Sequence, residues 1–271
     1  MFDKINVFLN YLSNKTGISR DIIKIALIFV CLFLITNILE SGFTLNTKGI
    51  MSNALISFSY ITIIIMSVIF HETSHGYAAY LLGDPTAKNM GRLSLNPLKH
   101  IRLPALFAMF AVMLLGINNI FIYIIIGISF AKPVPFNPIY FKNPRKQSAL
   151  VALAGPLSNF VLVIAGFLIL KLFVQLGVFS NETPYLILTV EFIKLFIYIN
   201  IYLAMFNLVP ILPLDGGRIL YGILPEEIAK TYATTESIGF IIIIVLWYFD
   251  LFRFIAPVAI NIFNFLGRII I

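Results

Sequence analysis

Charge is what this chain has least of. Aspartate, glutamate, lysine and arginine make up 11% of its 271 residues, against about a quarter in a soluble domain. So few polar side chains cannot coat a water-facing surface, which excludes an ordinary soluble globular domain. Cysteine is all but absent. The single one, Cys31, lies in an apolar run, so a disulfide framework is excluded. Basic residues outnumber acidic ones, 19 to 12, but they form no arginine-rich helix and no aromatic-interleaved patch. A nucleic-acid partner is therefore not expected. No hydrophilic stretch is long enough for a soluble domain, and no internal repeat or low-complexity tract stands out. The first twenty residues do not read as a cleavable signal peptide. Histidine is scarce as well: His71, His75 and His100 are the only three. What the chain has in excess is apolar surface, with 60% hydrophobic residues and a mean hydropathy of +0.97. Lipid is the solvent that this composition predicts.

About 20 apolar residues cross the hydrocarbon core of a bilayer. Ile22–Leu39, Ala54–Leu82, Ala149–Leu176 and Tyr185–Leu208 each meet that length. Leu103–Phe130 is apolar but interrupted by Gly116 and Asn118-Asn119, so it reads as one span or as a re-entrant hairpin. A last stretch begins at Ile238 and is broken by Asp250, Arg253 and Pro257. Lysine and arginine placement sets orientation. Lys4, Lys15 and Arg20 precede the first span and Lys24 lies near its start, which puts the N-terminus in the cytoplasm. The basic residues on both sides of Leu103–Phe130 then favour the hairpin. The expected fold is an all-α polytopic membrane protein. It has about six transmembrane helices plus a re-entrant or hairpin segment and short surface strands. We read residues 1–271 as one integral-membrane domain: 1–52 as N-terminal segment and first span, 53–222 as core, 223–271 as C-terminal membrane segment.

His71-Glu72-Thr73-Ser74-His75 interrupts the second span. On a helix, histidines at i and i+4 share a face and can bind one zinc ion, while the glutamate beside them can take a proton from water. Ionisable groups in such a span cost about 2.5–3.5 kcal/mol each on insertion scales, and a metal would stabilise them. A catalytic zinc takes three protein ligands. The third candidate is Asp215, in Asn207-Leu208-Val209-Pro210-Ile211-Leu212-Pro213-Leu214-Asp215-Gly216-Gly217. Two prolines bar a regular helix there, and broken backbone at membrane depth is tolerated where it lines a cavity.

H-E-x-x-H in a span, followed by N-x-x-P-x-x-P-x-D-G, resembles the site-2 protease family of intramembrane zinc metalloproteases. Gly91-Arg92-Leu93-Ser94-Leu95-Asn96-Pro97, Ala131-Lys132-Pro133-Val134-Pro135 and Ala154-Gly155-Pro156-Leu157-Ser158-Asn159 agree with it. The resemblance is to compact bacterial members. The connector Lys132–Gln147 is too short for a PDZ domain, and nothing after Ile238 reads as CBS modules. The resemblance implies one Zn2+ per chain held by His71, His75 and Asp215, with Glu72 as base. It implies substrate or oxyanion contact for Asn207, and for Asn159 alongside a packing role. It implies a multi-pass protein of the bacterial plasma membrane with its site near the cytoplasmic side. The substrate would be a single-span membrane protein or a signal peptide, cut within the bilayer in regulated intramembrane proteolysis. The alternative, a transporter or channel with a structural metal site, accounts for the broken helix but not for a glutamate directly after the first histidine. In such families short strands at Gly91–Pro97 can clamp a substrate strand. Glu191 with Lys194 and Asp250 with Arg253 read as neutralising pairs. His100 reads as solvated, and Trp247-Tyr248-Phe249 as an interfacial belt.

Overall fold

The computed structural model describes residues 47–100, 102–115, 122–124, 126–127, 131–178 and 184–271. The expected span Ile22–Leu39 and the basic residues before it lie outside them. The described chain is helical: α1 (Thr47–Leu81), α2 (Thr86–Asn89), α3 (Pro97–His100), α4 (Leu103–Leu114), α5 (Pro144–Gln175), α6 (Pro184–Asn207), α7 (Asp215–Ile223), α8 (Glu226–Ala233), α9 (Glu236–Tyr248) and α10 (Ile255–Ile270), with a 3-10 turn at Pro138–Tyr140.

Three helices are long and apolar enough to cross a membrane: Ile56–Leu81 within α1, all of α5, and Leu186–Asn207 within α6. The pair α8–α9, bent by 67°, makes a fourth candidate. The described residues thus contain three or four of the roughly six expected spans. Breakers and caps define the ends. α1 stops before Gly83, whose φ of 104° suits a residue without a side chain. α5 starts at Pro144, after Asn143, whose side chain accepts from the Lys146 N–H at 3.3 Å.

Leu103–Phe130 does not run as one helix. α4 has 12 residues, about 18 Å of length, and a bilayer core needs about 30 Å. Further on, Ile122, Tyr123 and Ile124 are buried in the same core as Ile63 and Ile64 of α1 and Met109 of α4. The stretch from Ile238 resolves into two helices, α9 and α10, separated where Asp250 takes a φ of 55°.

Three smaller expectations fail. Surface strands do not form at Gly91–Pro97 among the described residues. The segment instead closes on itself: Arg92 N–H donates to Ala87 O at 2.9 Å, Leu98 N–H donates to Asn96 Oδ1 at 3.0 Å, and Pro97 opens α3. His100 is not solvated. It is fully buried, its Nε2 donates to Ser94 O, and its own carbonyl accepts from Lys132 N–H at 2.6 Å. Burial holds its pKa below the usual histidine value. Glu191 and Lys194 do pair, at 2.8 Å, but no ion pair joins Asp250 to Arg253 among the described residues; the Arg253 N–H bonds to Asp250 O at 3.1 Å.

α5 is the central element. It packs against α1, α6 and α7, while Leu157, Val161, Leu168 and Leu172 point outward, as a lipid-facing stripe would. Its contact with α1 depends on Gly155. A Cβ there would lie 2.5 Å from the rings of both His71 and His75, well inside van der Waals contact. Glycine lets the two imidazoles lie against the α5 backbone. Gly155→Val should therefore force the helices apart, an overpacking that costs on the order of 1–3 kcal/mol. Thermal unfolding in detergent should show a lowered Tm. An unchanged Tm would show that the contact yields freely.

Candidate metal centre

The helical spacing of the motif does what it predicts. The His71 and His75 rings lie on one face of α1 with centroids 4.7 Å apart and planes at 88°. Asp215, the first residue of α7, reaches them from 140 residues further along the chain. Its Oδ2 is 3.0 Å from His71 Nε2 and 3.4 Å from His75 Nε2. The glycines after it make that approach possible. A side chain on Gly216 would overlap the Leu208 carbonyl, and one on Gly217 the Ile211–Leu212 backbone. The proline-broken segment folds directly onto the start of α7.

The three side chains could hold a metal ion. Their ligand atoms all lie within 4.8 Å of one another. Donors about 2.1 Å from a shared tetrahedral centre lie about 3.4 Å apart, which the Asp215 distances match. Asp215 Oδ2 is buried and, apart from the two facing imidazole nitrogens, has no hydrogen-bond partner among the described residues, an arrangement that is costly unless a cation is near. Two neutral imidazole nitrogens and one carboxylate are the donor set that a catalytic zinc takes.

Each imidazole is oriented through its other nitrogen. His75 Nδ1 lies 2.7 Å from the carbonyl of Val151 in α5. A carbonyl only accepts, so Nδ1 carries a proton, and in the neutral ring Nε2 then presents its lone pair. His71 Nδ1 lies 2.7 Å from Asn159 Oδ1. Asn159 sits one helical turn beyond Gly155, so both face His71. Asn159 is fully buried, its Nδ2 donates to Asn200 Oδ1 at 2.9 Å, and it stands behind His71 instead of lining the main cavity.

Glu72 lies beside the histidines. Its Oε2 accepts from the Val134 N–H at 3.0 Å. Val134 stands between Pro133 and Pro135, so its N–H is the only backbone donor in that tripeptide. The loop is anchored from the other side by Arg92, whose Nη2 donates to Lys132 O at 2.8 Å and Pro133 O at 3.3 Å. A cavity of about 420 Å³ opens here. His71, Glu72, His75, Asn207 and Asp215 line it, with apolar walls that include Phe240 and Ile243 of α9. Asn207 is nearly buried and its Nδ2 donates to Leu203 O at 2.9 Å, one turn back in α6. This leaves its Oδ1 without a hydrogen bond among the described residues. α9 closes one wall through Gly239, where a side chain would overlap Leu212 O.

All six singled-out residues therefore meet around one point: His71, His75 and Asp215 at its centre, Glu72 and Asn207 on the cavity wall, Asn159 behind. Sequence reasoning missed Asn200, the Val134 N–H, the Val151 carbonyl and Arg92. Backbone groups have no sequence signature. The one legible signal was Gly155-Pro156 inside an apolar helix with Asn159 a turn later: a packing notch, a proline-disturbed turn and an amide on one face.

Comparison with known proteins agrees with this centre. The family model "Peptidase family M50" matches residues 59–248. The chain is 36% identical over 199 residues to the "Putative zinc metalloprotease YwhC" of Bacillus subtilis (strain 168), covering 72% of this chain and 81% of the relative. It is 27% identical over 195 residues to the "Putative zinc metalloprotease Rip2" of Mycolicibacterium smegmatis, covering 69% and 68%. It is 24% identical over 222 residues to the "Zinc metalloprotease MJ0392" of Methanocaldococcus jannaschii, covering 81% and 51%. No solved structure matches. The family match leaves the transporter or channel alternative without support. With its apolar helices and its convergent histidines, the chain belongs to peptidase family M50, the site-2 protease family of membrane zinc metalloproteases.

Proposed function

We propose that this chain hydrolyses peptide bonds within or near the transmembrane segments of other membrane proteins, with one zinc ion held by His71, His75 and Asp215. The observation that carries the reading is the meeting of three ligand atoms and Glu72 on one cavity inside an apolar span. His71 stands ten residues from the Leu81 end of its span, about 15 Å, roughly half a bilayer core.

When bound there, zinc supplies Lewis acidity, lowering the pKa of water towards neutrality and polarising a carbonyl oxygen. The chain's own residues do the rest. Val134 N–H fixes Glu72 Oε2, leaving Oε1 to take the proton from the attacking water. The same carboxyl group then gives a proton to the departing amine, as microscopic reversibility permits for one positioned acid–base. Asn207 Oδ1 faces the cavity without a hydrogen bond among the described residues, where it can accept from a substrate N–H. The apolar walls exclude bulk water, which strengthens each of these contacts. The substrate is a single-span membrane protein or a signal peptide. Its helix hides the amides in i→i−4 bonds, so it must unwind locally before cleavage. Basic residues such as Lys88, Arg92 and Lys99 follow the Leu81 end of α1. That placement supports a site near the cytoplasmic face of a bacterial plasma membrane.

Three outcomes are expected. Glu72→Gln should retain zinc at wild-type stoichiometry, by elemental analysis of the purified protein, while cleavage falls by about 10²–10⁴-fold; full cleavage by that variant would sink the mechanism. Asp215→Asn and His75→Ala should instead lose zinc, and metal bound as in wild type would refute the ligand set. Comparing membrane proteomes of wild type and Glu72→Gln identifies substrates. In such a substrate, replacing glycine near the cut site by alanine, which strengthens the helix by about 0.8–1 kcal/mol per residue, should slow cleavage several-fold. An unchanged rate would argue against unwinding as a requirement.

A further inference from the structure

Asn200 lies on α6, is fully buried, and does not line the cavity. Its amide takes part in two bonds. Nδ2 donates to Phe196 O, one turn back, at 2.9 Å, and Oδ1 accepts from Asn159 Nδ2 at 2.9 Å. Asn159 Oδ1 in turn meets His71 Nδ1 at 2.7 Å. Four groups on three helices form one line from an α6 carbonyl to an α1 imidazole.

The direction of that line is set at its outer end. A peptide carbonyl cannot donate. Phe196 O therefore demands the Nδ2 of Asn200, which turns Oδ1 towards Asn159. That oxygen demands the Nδ2 of Asn159, which turns its Oδ1 towards His71. An oxygen there demands a proton on Nδ1, and in the neutral ring Nε2 is left with its lone pair towards Asp215. Were Asn159 to flip, its NH2 would face Nδ1, and the proton would move to Nε2, the wrong tautomer for a ligand. Asn159 alone is an amide with two nearly isosteric orientations; Asn200 makes one of them much the better. His75 needs no such relay because Val151 O meets it directly.

We infer that Asn200 is a positioning residue that holds His71 in its metal-ligating tautomer by fixing the orientation of the Asn159 amide. The inference rests on the zinc reading of the site, and its effect is on metal affinity before it is on rate. Outer partners of metal-ligating histidines change affinity or activity by about 10–100-fold; with one amide between, a loss of about tenfold is expected.

The test is zinc affinity of the purified full chain, measured in detergent by competition with a chromophoric chelator. Asn200→Leu should bind zinc about tenfold more weakly than wild type and show a smaller zinc-dependent rise in Tm. Asn200→Asp, which keeps an acceptor for Asn159, should stay within about threefold of wild type. The double variant Asn159→Leu/Asn200→Leu should match Asn159→Leu alone, because Asn200 acts only through Asn159. Should Asn200→Leu not fold, Asn200→Thr against Asn200→Val carries the same comparison. A threonine hydroxyl can donate to Phe196 O and turns an oxygen lone pair towards Asn159, which valine lacks, so Thr should bind zinc more tightly than Val. Wild-type affinity in Asn200→Leu, additive losses in the double variant, or equal affinities for Thr and Val would overturn the inference. A wild-type protein that binds no zinc would instead overturn the reading of the site itself.

Discussion

Polar groups held in an apolar span must be paired, and the centre of this molecule follows from that constraint. Two imidazoles and a carboxylate stand in a region where an unpartnered polar group costs several kcal/mol. Each ring has two nitrogens to satisfy. The inner ones face Asp215. The outer ones need acceptors from a neighbouring helix, and α5 supplies both, a backbone carbonyl at Val151 and an amide at Asn159. That demand dictates how closely α5 must approach α1, and so why residue 155 is a glycine with its backbone against both rings. Packing and chemistry here are the same requirement.

The second device is the placement of proline. Proline removes a backbone donor, and the chain does this twice beside the cavity, at Pro133 and Pro135 and at Pro210 and Pro213. In the first run the one remaining N–H goes to Glu72. In the second the broken backbone ends at Asp215 and is covered by α9, which approaches so closely that Gly239 has no room for a side chain. Both loops would be costly if they faced lipid. Pro133 and Pro213 line the cavity instead, where broken backbone is tolerated.

This division explains what was legible in the sequence. His71, Glu72 and His75 announce themselves because helical spacing fixes their shared face. Asp215 does so because a carboxylate after two prolines in an apolar chain has few other reasons to be there. Asn159 was visible as a residue but not as a partner, since an amide in a span reads equally as helix packing or as substrate contact. Asn200 carried no signal at all: its role depends on meeting Asn159 across α5 and α6, and the two stand 41 positions apart. The segment Gly91–Pro97 misled for a related reason. The family resemblance suggests a strand there, but Asn96 caps the following turn with its own side chain, and local bonds of that kind compete with ladder formation. His100 misled because the basic residues around it suggest solvent, whereas the carbonyl of Ser94 offers its ring a buried acceptor.

The same bookkeeping of donors and acceptors bears on how a substrate is held. An extended peptide adds to a sheet edge when that edge offers alternating free N–H and C=O groups. The segment beside Glu72 offers few. Pro133 and Pro135 have no N–H, the Val134 N–H is committed to Glu72, and the carbonyls of Lys132 and Pro133 accept from Arg92. A ladder along this segment would have to displace the bond from Val134 N–H to Glu72. Continuous pairing with an extended strand is therefore disfavoured along this segment, while the cavity beside it offers apolar walls and Asn207. If the chain cleaves membrane segments as proposed, recognition of that kind would select a segment that unwinds and fits an apolar cavity over one that carries a fixed sequence.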